Sequence, residues 1–394
     1  MRLLRPARAP LSAMAQLGRR VFFDTTLSSS GRLSCATCHS PQHAFGPPDD
    51  RAAMPGGASL SREGVRAVPS LMYLERQPNF SIGPDDPTTE SVSAASAGGT
   101  ALVPRGGLFW DGRADTLQSQ ALGPLLNPLE MDGGSVARVA AKLRRRPYAR
   151  AFAQLFGPAV VADANALVGE ALFAVGRYQL EEPQFHPYSS KYDAWLEGRA
   201  RFTPAELRGY RLFNDPKRAN CAACHVDQPT PEGFPPLFTD HQYEALGVPR
   251  NRALAVNRDP RYYDLGICGP LRTDLRAQRQ YCGMFATPTL RNAAARRVFF
   301  HNGVYHSLRE VLDFYAERDT APQRIYPLGA DGRPARFDDL PPAYRANVDT
   351  ADPPFGRAAG DVPALTPSEE DDVIAFLRTL TDGYRVRLAR ATRR

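Results

Sequence analysis

The chain has 394 residues, 43% hydrophobic and 23% charged, enough apolar content to exclude disorder over most of its length and to support about two domains. No stretch reaches the ~20 apolar residues that span a bilayer, which excludes a helical integral membrane protein. The net charge of +7 is carried almost wholly by arginines, the lysines being Lys142, Lys191 and Lys217; they are scattered, so the balance describes a soluble surface and not a nucleic-acid interface.

In chain order, a first helical pattern runs through Leu17-Gly-Arg-Arg-Val-Phe-Phe-Asp24 and leads by a loop into Cys35-Ala-Thr-Cys38-His39. Residues 41–107 are rich in Gly, Pro and Asp and read as a long loop. Asp115 or Thr116 then caps a short helix with Leu117, Gln120, Ala121 and Pro124 on one face, and Glu130 follows it. Asp163 caps a longer helix ending near Leu180, and the polar, proline-bearing segment Glu181 to Lys191 is a domain boundary.

The pattern then repeats. Arg208-Gly-Tyr-Arg-Leu-Phe-Asn-Asp215 precedes Cys221-Ala-Ala-Cys224-His225, and 226–290 is again loop-like. Ser307-Leu-Arg-Glu310 is a capping box opening a helix whose one face carries Leu308, Val311, Leu312 and Tyr315. Thr366-Pro-Ser-Glu369 opens the last helix; its stripe of Val373, Leu377 and Leu380 is stopped by Gly383.

Two C-x-x-C-H sequences are c-type haem attachment sites. Thiols about one helical turn apart can each form a thioether with a haem vinyl group, and the adjacent histidine reaches the iron from the same side. A zinc site built from all four thiolates leaves both histidines unexplained, and a redox dithiol lacks its βαβ setting. The expectation is therefore a mainly α fold of two cytochrome c-like domains, residues 1–185 and 186–394, whose long loops wrap two covalently bound haem c groups.

Covalent haem implies an oxidising, periplasmic location, in which Cys268 and Cys282 can form a disulfide. The first 20 residues begin basic but show no apolar core of the ~7–15 residues an export signal needs. An export signal is thus not evident, and the haem motifs weigh against that segment.

The stretch from Leu108 to Met131 carries the next signal. Proline cannot ligate iron, glutamine can orient a bound peroxide, and a carboxylate can shuttle protons during O–O cleavage. Gln120, Pro124 and Glu130 would so form a lid over an open iron face. They suit equally an ordinary helix N-terminus followed by a solvated glutamate.

The two haem motifs, Phe109-Trp-Asp-Gly-Arg-Ala114, the Gln120-Ala-x-x-Pro124 segment with Glu130-Met131, and Thr287-Pro-Thr-Leu-Arg-Asn292 followed by His301-Asn-Gly303 together resemble the bacterial di-haem cytochrome c peroxidase superfamily. The likeness runs from about Leu17 to Leu380. It implies that the haem on Cys35, Cys38 and His39 reacts with peroxide, with Glu130 as acid–base residue beside Gln120 and Pro124. Trp110 matches the tryptophan between the haems, and Cys221, Cys224 and His225 hold the electron-transfer haem.

No methionine follows Met284, and Tyr315 falls where the methylamine-utilisation and methanobactin-associated di-haem enzymes of the family carry an axial tyrosine. A buried tyrosine on an apolar face is ordinarily core; the resemblance makes it the sixth ligand, with Met284 as rival. His39, His225 and Tyr315 are thus the implied iron ligands. His43 is too close to His39 to cross to the opposite haem face and reads as a loop residue, which predicts a first haem open at rest. His186, His241 and His306 read as surface or loop residues, and His301 as structural.

Family members often bind calcium through an asparagine in Arg-Asn-x-Pro-Ser and the carbonyls of a Thr-x-Pro turn. Here these positions read Arg66-Ala-Val-Pro-Ser70 and Arg296-Arg-Val298. Calcium is expected to be weak or absent, with an arginine supplying the charge.

The implied function is hydrogen peroxide reduction through a high-valent iron state shared between two haems, with electrons from a small cytochrome c or cupredoxin. The alternative within the family is peroxide-dependent oxidation of a Trp or Tyr in a partner protein. The non-enzyme alternative is a simple electron-transfer di-haem cytochrome.

Overall fold

The computed structural model describes residues 2–84 and 102–386. It is mainly α. The first half contributes α1 (Ala13–Phe22), α2 (Cys35–Cys38), α3 (Leu117–Leu126), α4 (Val136–Arg144), α5 (Ala149–Phe156), α6 (Ala159–Ala162) and α7 (Ala164–Glu181). The second contributes α8 (Lys191–Leu196), α9 (Pro204–Phe213), α10 (Leu308–Glu317), α11 (Pro322–Ile325) and α12 (Pro367–Arg378). No helix among the described residues is long and apolar enough to cross a membrane.

The loose sequence repeat has a physical meaning. Gly18 in α1 lies against α7 so closely that a Cβ would stand 1.8 Å from the Ala174 carbonyl oxygen; Gly209 in α9 meets α12 the same way, 1.9 Å from that of Asp372. Each glycine lets two helix backbones touch. The aromatic residue ending each pattern, Phe22 or Phe213, is then driven into its core.

Helix ends follow the local chemistry. Asp163 accepts from the Ala166 amide at 2.8 Å to start α7. Ser307, Thr203 and Thr366 each form a capping box with a glutamate three residues on. Thr116, not Asp115, caps α3, because its hydroxyl receives the Ser119 amide; Asp115 turns instead to the Phe80 amide.

One apolar core gathers α1, α4, α5 and α7 with Phe45, Tyr73, Phe185 and Tyr188; a second gathers α9, α10 and α12 with Tyr192 and Phe238. The chain leaves the first core at Tyr188 and enters the second at Tyr192.

Among the described residues the two long loops contain three short antiparallel pairs: β1 (Pro55–Gly56) with β2 (Arg62–Glu63), β3 (Ser81–Pro84) with β4 (Leu102–Arg105), and β5 (Tyr243–Glu244) with β6 (Phe285–Ala286). β6 continues into the inter-half contact, where the Ala286 amide donates to the Trp110 carbonyl at 3.0 Å. Cys268 and Cys282 are joined as a disulfide across 14 residues.

Of the histidines read as surface or loop residues, two lie in loops that turn inward. His186 is buried, because Phe185 just before it stacks on Phe45 at 3.7 Å and draws the turn inward. His241 sits against Gln77, its Nδ1 3.0 Å from Oε1, and burial pushes its pKa down to about 4. His306 is exposed, and His43 stays in its loop, 2.9 Å from the Ser40 hydroxyl.

Candidate functional site

Both C-x-x-C-H segments end in a histidine held by the same device. Ser34 and Thr37 box the single turn of α2, and His39 ends it with its amide bonded to the Cys35 carbonyl at 2.8 Å. His39 Nδ1 then lies 3.1 Å from the Phe45 carbonyl. In the second half the Cys221–Ala223 turn ends likewise, and His225 Nδ1 lies 2.9 Å from the Phe238 carbonyl.

A carbonyl only accepts, so Nδ1 carries the proton in both rings and Nε2 presents its lone pair. Burial pushes both imidazoles down to about 4, which keeps them neutral. Phe45 and Phe238 adopt φ of 50° and 56°, a strained region for a bulky residue that the two cores enforce by burying both rings. Neither phenylalanine stood out in the sequence: they follow their histidines by different intervals, and no local signal marks a carbonyl.

Cys35, Cys38, Cys221 and Cys224 are free thiols. Burial pushes the first three up to about 12 and Cys224 well above its ordinary value. Among the described residues no cluster of three or more His, Cys, Asp or Glu side chains could hold a metal ion by itself. The two thiol pairs do not come together.

Around the second motif lies a cavity of about 310 Å³ whose lining includes Cys221, Cys224, His225, Trp110, Phe355 and Tyr315. Leu308, Val311 and Leu312 line it too, so the apolar face of α10 points inward. An apolar chamber with two thiols and an imidazole on one motif and a phenol among its walls suits a porphyrin. Tyr315 stacks on Phe355 at 5.6 Å, and burial raises its pKa, helped by the nearby Cys224 and Cys221. Met284 packs instead with Tyr243 and Ile267 in a separate apolar cluster.

Beside the first motif stands Glu130. Burial raises its pKa against the opposing pull of the Asn127 amide, which donates at 3.1 Å, and of Arg113. It is close enough to Cys38 to push that thiol up as well. Its backbone is fixed: Gly57 donates to the Glu130 carbonyl at 2.8 Å, and Gly56 lies on the Leu129 backbone too tightly for any side chain.

Helix α3 divides its duties more evenly than expected. Leu117 rests on Gly176 of α7, and Ala121 and Leu125 enter the first core, so part of the expected lid face is ordinary packing. Gln120 is buried and Pro124 half-buried. Pro124 cannot donate to the Gln120 carbonyl, which leaves that oxygen without its helical bond.

Trp110 bridges the halves. Its indole Nε1 donates to the Ala67 carbonyl at 2.8 Å, while the ring lines the cavity around His225. The neighbouring segment is a dense electrostatic knot. Arg66 donates to Asp111 at 2.7 Å and to both oxygens of Asp264 at 2.6 and 2.7 Å, all three side chains being buried. Arg113 joins at Asp111, and Arg66 also lies over Phe285, on which His301 stacks at 3.5 Å. Two positions along, Arg296 Nη2 donates to the Val68 carbonyl at 2.9 Å. Cationic side chains thus occupy both segments in which an oxygen-ligated dication was discounted.

Comparison with known proteins gives this arrangement its relatives. Residues 12–201 match the family model of di-haem cytochrome c peroxidases. The methylamine utilization protein MauG of Paracoccus denitrificans is 32% identical over 95% of this chain and 90% of its own length. Among solved structures, the diheme peroxidase BthA of Burkholderia thailandensis is 41% identical with a TM-score of 0.82, covering 95% of this chain and 87% of that one. A MauG-like protein associated with microbial copper homeostasis is 27% identical with a TM-score of 0.63, covering 97% and 94% of the two chains. By likeness that extends over nearly its whole length, the chain belongs to the di-haem cytochrome c peroxidase family and is a MauG-like di-haem peroxidase-type oxidoreductase.

Proposed function

We propose that this chain reduces hydrogen peroxide in the periplasm, at a haem bound covalently by Cys35 and Cys38 with His39 as ligand. Cys221, Cys224 and His225, with Tyr315 as a further ligand, would hold a second covalent haem, which would supply a store for oxidising equivalents. The observation that carries the reading is the cavity that unites Cys221, Cys224, His225 and Tyr315 with Trp110 in its wall. The disulfide and the covalent attachment both suit an oxidising compartment. The long loops around both motifs would wrap the two groups, within units spanning 1–185 and 186–394.

The haems, when bound, supply the redox chemistry; the chain supplies the rest. Glu130, raised by burial, takes and returns a proton at its carboxyl group, with Asn127 fixing one oxygen. Gln120 orients the bound peroxide, and Pro124 offers no competing ligand. Trp110, tethered by its N–H to Ala67, holds an oxidisable ring between the two sites. A tyrosinate at Tyr315 is a hard anionic donor that favours the more oxidised iron states. Arg66 and Arg296 supply positive charge where relatives bind calcium, so no calcium is required.

A small cytochrome c or cupredoxin is the electron donor in this reading. A second reading, oxidation of a Trp or Tyr in a partner protein, is favoured by Tyr315 and by the likeness to MauG. Peroxide-driven turnover of the purified protein against reduced cytochrome c, and against proteins encoded beside it, distinguishes the two. Peroxide that causes no optical change in the ferric protein, together with two low-spin ferric haems by electron paramagnetic resonance, would leave only the electron-transfer cytochrome. Replacing Tyr315 by Phe should alter the spectrum of the second haem alone; an unchanged spectrum returns the ligand role to Met284.

A further inference from the structure

Arg296 directly follows the turn Ala293–Ala295 in the second half and reaches back into the first. Besides its bond to the Val68 carbonyl, its Nη1 lies so near Gly46 that a Cβ there would stand 3.1 Å from it. Gly46 closes the His39 loop, its carbonyl accepting from Ser40 at 3.0 Å. The guanidinium is thus held against the loop that follows His39.

Arg296 is half-buried, and its surroundings differ from those of the more deeply buried arginines. Arg66 has Asp111 and Asp264, Arg291 has Asp193, and Arg318 has Asp319. Among the described residues Arg296 bonds only to a carbonyl, and burial alone acts on its charge. Withdrawing a cation from water is unfavourable unless an anion and further hydrogen bonds offset it. A guanidinium has N–H donors left over after one carbonyl, in the planar fork that matches a carboxylate.

We propose that Arg296 binds a propionate of the His39 haem, holding that carboxylate ionised and setting the reduction potential of this haem alone. The haem brings carboxylates to the neighbourhood of the histidine it is ligated by, and Arg296 is a half-buried cation there whose guanidinium meets no protein carboxylate among the described residues. A fixed positive charge there favours the ferrous state, the less positive of the two, and so raises the potential. The inference rests on the reading that His39 carries a haem, but not on peroxide chemistry.

The test is spectroelectrochemical titration of the full-length di-haem protein across pH, comparing wild type with Arg296→Gln and Arg296→Lys. In the Gln variant the ferric form of the His39 haem should be favoured about tenfold, ~59 mV for a one-electron couple. Its potential should also gain a pH dependence, falling as pH rises, because the released propionate takes up a proton on reduction. The Lys variant should restore most of the wild-type value, and the His225 haem should not move. An unchanged His39 potential in the Gln variant, or an equal shift of both haems, overturns the proposal. Should the Gln variant not fold, the Lys variant decides, supporting the proposal if only the His39 haem shifts slightly and overturning it if both shift together. A protein lacking haem at Cys35 and Cys38 would instead sink the underlying reading.

Discussion

The two halves frame their C-x-x-C-H motifs with one packing device and set different residues near them. On each proximal side a glycine-crossed helix pair, a C-x-x-C-H turn and a strained phenylalanine carbonyl fix a neutral histidine. In the second half Tyr315, on the apolar face of α10, shares a cavity with the motif, whereas near the first motif stands Glu130, its pKa raised by burial near Cys38. The lesson is that duplicated packing repeats the C-x-x-C-H frame, while the residues that stand near each motif differ, and in the proposed reading that difference separates a substrate site from an electron-transfer site.

The largest way to break that comparison is Glu130→Gln. It should lower the rate of reaction with peroxide about 10²–10⁴-fold in stopped-flow measurements and leave the His225 haem's spectrum unchanged. The pH profile should carry the same signature. Glu130 has a raised pKa, so the proton-accepting form is lost on acidification earlier than for an ordinary carboxylate. The rate should therefore fall as pH drops through a point above the usual carboxylate range, and that inflection should vanish in the Gln variant.

Next in size is the disulfide, which has no counterpart in the first half among the described residues. Replacing both Cys268 and Cys282 by Ser removes a cross-link over a short loop, worth about 3 kcal/mol. Thermal melting should show the second half loosening while the spectrum of the His39 haem persists; a loss shared by both halves would mean that they unfold together. Gly18→Ala and Gly209→Ala should each cost about 1–3 kcal/mol by forcing two helices apart. Unequal losses in melting temperature would show that the halves are less alike than their glycines imply. The smallest expected effect is that of chelation. Dialysis against a calcium chelator should leave the haem spectra and peroxide reactivity unchanged, since Arg66 already satisfies Asp111 and Asp264; a spectral change would restore a role for the dication.

Much of the site was legible in the sequence where its chemistry is local. The thiol and histidine spacing, the boxes at Ser307 and Thr366, and the repeated glycine each act within a turn or two of helix, so a few neighbouring residues suffice to encode them. The stripe on α10 was likewise readable, and it faces the cavity as its periodicity required. Other features depended on distant partners. Helix α3 suited a lid and an ordinary helix alike; Leu117 and Ala121 serve the core, since α7 lies across them. His186 lies in a loop as read, but Phe185 carries it inward.

What the sequence alone determined is the pair of C-x-x-C-H motifs and their helical frames, because residue spacing and hydrogen-bonded caps are short-range. Only the tertiary structure decided which carbonyls orient the histidines and which arginine meets which carboxylate. Arg66 and Asp264 are 198 residues apart, and Arg296 and Val68 are 228 apart. Burying such charges is favourable only when the fold brings complementary groups together, and no local pattern specifies that meeting.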